Sequence, residues 1–318
     1  MTDMHYRQLG NSGLKVSVVG LGCNNFGRRI DRAGTARVVD AAIDEGINLF
    51  DTADVYSDGE SEEFLGAAIK NRRDRVIVAT KFRSRMGEGP NDSGGSRGYI
   101  YRAIEGSLRR LQTDYLDLYQ MHSPDADTPI EETLSTLNDL VREGEVRYLG
   151  SSNFAGWQLA DADWVARVNH WVPFVSAQNH YSLVERGVER DVIPACERFK
   201  LGMLPFFPLA SGLLTGKYRR GEAAPEGTRL AGNPRADRFL NDTAFDAVEG
   251  LERFGQERGV SLLQIAIGGL AAQPQVASVI AGATRAEQVT ANAKAGTWVP
   301  SAEELAEINR LAPSERPA

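Results

Sequence analysis

Short apolar runs alternate with amphipathic helical stretches along almost the whole chain, and this alternation limits its fold more than any other feature. Val16 to Leu21 reads as a strand, and Thr35 to Glu45 as a helix with Val38, Val39, Ala42 and Ile43 on one side. Asn48 to Phe50 and Glu62 to Lys70 form the next pair. RVIVATK (75–81) leads to a helix over Tyr99 to Leu111, with Ile104, Leu108 and Leu111 spaced for burial. YLDLYQMH (115–122) leads to Ile130–Glu143, VRYLGSSNF (146–154) to Trp157–Val168, and FVSAQ (174–178) to Val188–Phe199. GMLPFFPL (202–209) opens a seventh unit, followed by an irregular insertion over 215–239 and helices at Thr243–Arg258 and Leu262–Ala272. VASVIAG (276–282) is the eighth strand, with helices at Ala286–Ala295 and Ala302–Leu311 behind it.

Ahead of all this, HYRQLGNSGLKVS (5–17) reads as a hairpin turning at Asn11-Ser12-Gly13. Eight alternations with no Pro/Ser-rich linker predict one parallel architecture over residues 1–318 rather than two domains. The count favours closure into a (β/α)8 barrel, with an open doubly wound sheet as the other arrangement. In such a barrel the chemistry belongs to the C-terminal ends of the strands and the loops that follow.

Composition narrows the class of partner. The formal charge of -7 and pI near 5.3 argue against nucleic acid or an anionic membrane, so any phosphate ligand must be met by local cations. Cys23 and Cys196 cannot build a disulfide framework, and no metal site is expected. MTDMHYRQLG has no apolar core of a signal peptide, and no run approaches the ~18 apolar residues of a membrane span. A reducing, cytoplasmic location is the expectation.

The strand ends read Gly22-Cys23-Asn24, Asp51, Lys81, His122, Ser152-Asn153, Gln178, Phe206 and Gly282. Lysine is rarely buried without a partner, and Asp51 one strand earlier can pair with Lys81. A structural ion pair is the plain reading of those two alone. Tyr56, five residues after Asp51 in FDTADVY, changes the weighing. A nearby ammonium is expected to lower a phenol's pKa, and the carboxylate to fix the ammonium. With His122 opposite, the four make a general acid suited to protonating an oxygen as hydride reaches its carbon. Asp58-Gly59, ahead of Ser61, Glu62 and Glu63, is expected to open the following helix with a capping residue and first-turn acids.

GLGCNNFG, NLFDTADVYSDGESEEFLG, VIVATK, YLDLYQMH, YLGSSNF, SAQNHYSL, FPLASGLLTGKY and GATRAEQVTAN, in that order, resemble the aldo-keto reductase family over essentially the whole chain, on the bacterial side near the potassium-channel beta-subunit-like branch. The resemblance implies a (β/α)8 barrel with an N-terminal hairpin at its base and long loops at its C-terminal face. It also implies NADPH-dependent reduction of an aldehyde or ketone to an alcohol. The family's tetrad falls on Asp51, Tyr56, Lys81 and His122, with Tyr56 as the acid. Ser152, Asn153 and Gln178 would meet the nicotinamide carboxamide, and Phe206 would lie on its ring. Cys23, Asn24, Asp51 and Phe207 would also border the dinucleotide. Pro208, Leu209, Ala210, Ser211, Lys217 and Arg229 would cover the pyrophosphate. Gly282, Thr284, Arg285, Gln288 and Asn292 would hold the adenosine end, with Arg285 on the ribose phosphate that distinguishes NADP.

No Rossmann fingerprint is present: GLGCNN lacks its third glycine, and GLLTGKY is one residue short of a phosphate loop. Two other functions share these residues. Lys81 would serve a Schiff-base lyase, or the chain would be a nucleotide-sensing regulatory subunit, as some channel-associated relatives of this kind are. The loop RSRMGEGPNDSGGSRG (83–98), with Arg83, Arg85, Asn24 and Asn25, suggests a polar pocket for a small carbonyl substrate.

Overall fold

The computed structural model describes residues 3–234 and 236–313. A hairpin of β1 (Tyr6–Gln8) and β2 (Lys15–Ser17) precedes eight parallel strands: β3 (Val19–Gly22), β4 (Leu49–Asp51), β5 (Ile77–Phe82), β6 (Leu116–Met121), β7 (Val146–Ser152), β8 (Phe174–Gln178), β9 (Gly202–Met203) and β10 (Val279–Gly282). They pair in the order β10-β3-β4-β5-β6-β7-β8-β9. Parallel bridges Met203–Val276 and Phe206–Ile280 join the two edges, so the sheet closes into a (β/α)8 barrel.

The helices are α1 (Arg32–Asp44), α2 (Glu60–Ile69), α3 (Arg97–Leu111), α4 (Ile130–Glu143), α5 (Gly156–Val168), α6 (Val192–Phe199), α7 (Ala236–Phe239), α8 (Asp242–Arg258), α9 (Leu262–Gln264), α10 (Ala286–Gly296) and α11 (Ala302–Leu311). Asp31 accepts the Gly34 N–H, which starts α1 three residues before the expected point. The predicted strand Val16–Leu21 is two strands, since Lys15–Ser17 stays with the hairpin and only Val19 onward joins the barrel. The predicted helix Val188–Phe199 breaks at Asp191, whose carboxylate leaves to accept the Gly156 N–H. Beyond α9 the helix widens into a π turn over Ile265–Gly269. The insertion is mostly irregular, as expected, apart from α7 and a 3-10 turn at Ala210–Thr215; its Arg235 lies outside the described residues.

Strand side chains alternate between two cores. Phe50, Val78, Tyr119 and Leu149 face out and pack under the helices. Leu49, Ile77, Ala79, Leu118, Leu204 and Ile280 face in, where they meet Leu9 and Val16 of the hairpin. Burying each of those two hairpin side chains is worth about 1.5–3 kcal/mol, so the hairpin is a stopper as well as a lid. Gly10 lets it seat: at φ +56°, an added Cβ would stand 2.3 Å from the Val175 carbonyl oxygen. The barrel floor is therefore apolar and plugged, which leaves the opposite end open for polar side chains.

Candidate active site

The same two-residue period that sends Leu49, Ile77, Ala79 and Leu118 inward continues upward to Asp51, Lys81 and Gln120. Lys81 is 0% exposed, and its Nζ donates to Asp51 Oδ2 at 2.7 Å, to the Thr52 carbonyl at 2.7 Å and to Tyr56 Oη at 3.3 Å. The other carboxylate oxygen, Asp51 Oδ1, accepts from Gln120 Nε2 at 3.0 Å and Gln178 Nε2 at 2.8 Å. Burial pulls the Lys81 pKa down, but the neighbouring Asp51 and Tyr56 outweigh it and leave the ammonium above its ordinary value. Lys81 is a fixed cation.

Tyr56 stands on a 3-10 turn, Tyr56–Gly59, in which Ser57 and Asp58 both have φ +52°. Such backbone is strained for residues other than glycine and needs anchoring. Ser57 Oγ donates to the Phe26 carbonyl at 2.9 Å, and Ser61 Oγ to the Cys23 carbonyl at 2.9 Å, tying the turn to the loop after β3. Of the expected Asp58-Gly59 pair, Gly59 takes the N-cap position of α2, with no side-chain bond. The phenol also differs from expectation. Burial raises its pKa, and together with the Asp51 charge it outweighs the lowering by Lys81, so Tyr56 is held above the usual phenol value. In the protein alone the phenol keeps its proton.

His122 meets Tyr56 edge-on, with ring centroids 5.8 Å apart. Burial, then the charges of Lys81 and Arg83, push its pKa down to about 3, so the imidazole is neutral at physiological pH. Its Nδ1 lies 3.4 Å from Ser84 Oγ, and the Asn153 side chain donates to its carbonyl.

A cleft of about 680 Å³ opens above this group. Asp51, Tyr56 and His122 line it together with the expected Cys23, Asn24, Ser152, Asn153, Gln178 and Phe206. Further along come Phe207, Pro208, Leu209, Ser211, Lys217 and Arg229, and at the far end Gly282, Arg285, Gln288 and Asn292. Three expected residues are not on its wall. Lys81 lies beneath Tyr56, and Ala210 is buried under its own loop. Thr284 spends both its N–H and its hydroxyl on Gln288 Oε1, at 2.8 and 3.1 Å, so it has no donor left to place on a phosphate.

The loop from Phe207 to Gly212 has left-handed backbone at Phe207, Ala210, Ser211 and Gly212. Gly212 suits its place because its φ of +97° is one that side-chain-bearing residues rarely adopt. Burial and the like charges of Arg229 and Arg29 lower the Lys217 pKa, and burial with Arg29 and Arg28 lowers that of Arg229. No carboxylate among the described residues forms a salt bridge with Lys217, Arg229, Arg29 or Arg285. Lys217, Arg229 and Arg29 form a local positive patch on an acidic protein, suited to an anion, with the exposed Arg285 further along the cleft.

Sequence reasoning missed Gln120 and Arg29. Gln120 was readable from parity, one inward step below His122, whereas Arg29 sits in an irregular loop where no period applies. Asn25, expected near the substrate, is on the cleft wall and donates to the Ala283 carbonyl at 3.3 Å, whereas Arg85 is tied to Gly87 and Gly89 of its own loop.

A closed parallel barrel with a buried lysine–carboxylate pair beneath a phenol at its C-terminal mouth has the design of a barrel oxidoreductase. The sequence model of the aldo/keto reductase family matches residues 18–313. The chain is 40% identical over 303 residues to an uncharacterized oxidoreductase of Bacillus subtilis, covering 92% of this chain and 91% of that one. It is 39% identical to a probable voltage-gated potassium channel subunit beta of Oryza sativa subsp. japonica, covering 93% and 92% of the two chains. It is 34% identical to an L-glyceraldehyde 3-phosphate reductase of Escherichia coli O157:H7, covering 97% and 92%. The chain belongs to the aldo/keto reductase family, a family of oxidoreductases acting on small carbonyl compounds.

Proposed function

We propose that residues 1–318 form one barrel domain that reduces an aldehyde or ketone to an alcohol at the expense of NADPH, with Tyr56 as general acid. The observation that carries this reading is the 3.3 Å hydrogen bond from buried Lys81 Nζ to Tyr56 Oη. When bound, the reduced nicotinamide supplies the hydride to the carbonyl carbon. Tyr56 gives its proton to the carbonyl oxygen, and the phenolate left behind gains a charge-assisted bond from Lys81. Asp51 and its two glutamine donors keep Lys81 in place. Neutral His122, with Nδ1 beside the Ser84 hydroxyl, can carry its proton on Nε2 and hold the same oxygen.

The cleft fits the dinucleotide. Gln178 commits its N–H groups to Asp51 and Gln120, and the Asn153 amide nitrogen donates to Ser152 Oγ and the His122 carbonyl. Both thus offer carbonyl oxygens to a carboxamide NH2, while the Ser152 hydroxyl can donate to its oxygen. Phe206 offers a ring face beside them. Lys217, Arg229 and Arg29 answer a pyrophosphate, and Arg285, with Gln288 and Asn292 along α10, answers the phosphorylated adenosine end. Both cysteines are free and buried, which suits a reducing, cytoplasmic setting.

The lyase reading is weakened by the same geometry: Lys81 stays protonated, is closed off from the cleft and has all three donors engaged. The regulatory reading is favoured by the names of the rice relative and of an Arabidopsis thaliana relative, also 39% identical. No helix among the described residues is long and apolar enough to cross a membrane, so channel association would need a separate partner. Tyr56→Phe separates the readings: a reductase loses about a hundredfold or more in turnover while binding NADPH normally. Retention of most turnover would show that another group supplies the proton.

A further inference from the structure

Just beyond Lys81, past the end of β5, stands a cation whose charge reaches His122 and Asp125. Arg83 sits at φ +99°, a conformation strained for any residue but glycine. The surrounding chain pins it there: its carbonyl accepts the Gly94 N–H at 2.9 Å. The next residue, Ser84, places its hydroxyl 3.4 Å from His122 Nδ1, and its carbonyl accepts the Tyr99 hydroxyl. Arg83 is thus held close to His122, beside the cleft and not on its lining wall.

Its side chain is half-buried, and its Nε is sealed from solvent with no acceptor. No carboxylate among the described residues forms a salt bridge with it. Asp125, the acid its charge reaches, makes its hydrogen bonds elsewhere. Asp125 Oδ2 accepts the Gly95 N–H and the Thr128 hydroxyl, both at 2.7 Å, and Oδ1 accepts the Asp127 N–H at 3.3 Å. A half-buried guanidinium without a salt bridge is stabilised when a ligand brings an acceptor to its terminal nitrogens.

We propose that Arg83 selects carbonyl substrates that carry an anionic group, a carboxylate or a phosphate, pairing with that group while the carbonyl oxygen lies between Tyr56 and His122. This rests on the reductase reading above. The test compares matched aldehydes with NADPH: succinic semialdehyde against butanal, and glycolaldehyde phosphate against glycolaldehyde. At least one charged member should exceed its neutral partner by about tenfold or more in kcat/KM, the scale of one charge-assisted hydrogen bond, and which one does so separates carboxylate from phosphate. Arg83→Gln should cost the charged member about tenfold and the neutral one far less, with the loss mostly in KM. Equal rates within both pairs, or an equal loss on all four aldehydes, would overturn the assignment. Calorimetric binding of 4-hydroxybutyrate and of butanol to the NADP-loaded protein reads the site without turnover, with ethylene glycol phosphate against ethylene glycol as the phosphate pair. An Arg83-dependent preference for a charged ligand, with no turnover of any aldehyde, would fault the reductase reading and leave the anion site standing. No charge preference in binding would refute the site itself.

Discussion

Replacing Lys81 by methionine removes the ammonium and keeps most of the volume, so the consequences follow from the bonds it leaves unmade. Asp51 stays 3% exposed, with Oδ1 still accepting from Gln120 and Gln178. Its Oδ2 loses the partner at 2.7 Å, and the Thr52 carbonyl loses the other. Breaking one side of a buried pair costs about 3–5 kcal/mol. For a chain of this size that is a fall in melting temperature of roughly 4–8 °C. Turnover should fall as well, because a phenolate at Tyr56 would lose the cation that donates to it. The double variant Lys81→Met/Asp51→Asn neutralises the stranded carboxylate, so it should regain much of the stability and none of the activity. Thermal melts and single-turnover rates on the three proteins, with enough NADPH to saturate, make the comparison. A Lys81→Met protein that melts with wild type would refute the buried pair, and one that is destabilised yet fully active would reduce Lys81 to a structural role.

At the other end of the cleft, Arg285→Ala should raise the NADPH dissociation constant by about tenfold or more and barely change that of NADH, as measured by fluorescence titration. Arg29→Ala should weaken both dinucleotides alike, because the pyrophosphate it would face is common to them; a selective loss of NADPH would move Arg29 to the ribose phosphate. Asp54 gives a pH test. It is 1% exposed, and burial, then the nearby Glu62 charge, raises its pKa to about 7. The folded value lies above the unfolded one, so the stability it contributes is present below about pH 4 and lost as pH rises through 7. Asp54→Asn should therefore melt about 5 °C or more above wild type at pH 8, with the gain shrinking by pH 5. A gain that does not change with pH would show that Asp54 is ionised throughout.

The barrel was legible because its signal is redundant: eight strands repeat the same apolar run, and most of them end on a polar residue. Strand ends also carried Asp51, Lys81, His122, Ser152 and Gln178, since a strand fixes where the next residue must point. The errors fall where that rule lapses. Val18 divides two strands that read as one, because nothing in an apolar run marks the change of sheet. Thr284 turned inward because Gln288, one helical turn on, reaches back to it. The Tyr56 phenol was expected to be acidic from its cationic neighbour alone, whereas the depth of burial, a property of the assembled mouth, decides the sign. Arg29 and Arg83 lie in loops, and only the closed barrel shows what each of them faces.

The central claim is that this cleft moves hydride to a carbonyl carbon while Tyr56 protonates the oxygen. The most direct measurement supplies NADPH deuterated at its transferable position with a panel of aldehydes and ketones, and locates the label in the product. The account predicts deuterium on the carbinol carbon of the alcohol, formed about a hundredfold or more slowly by Tyr56→Phe. Tight NADPH binding with no labelled alcohol from any carbonyl compound would contradict it and leave the regulatory reading in its place.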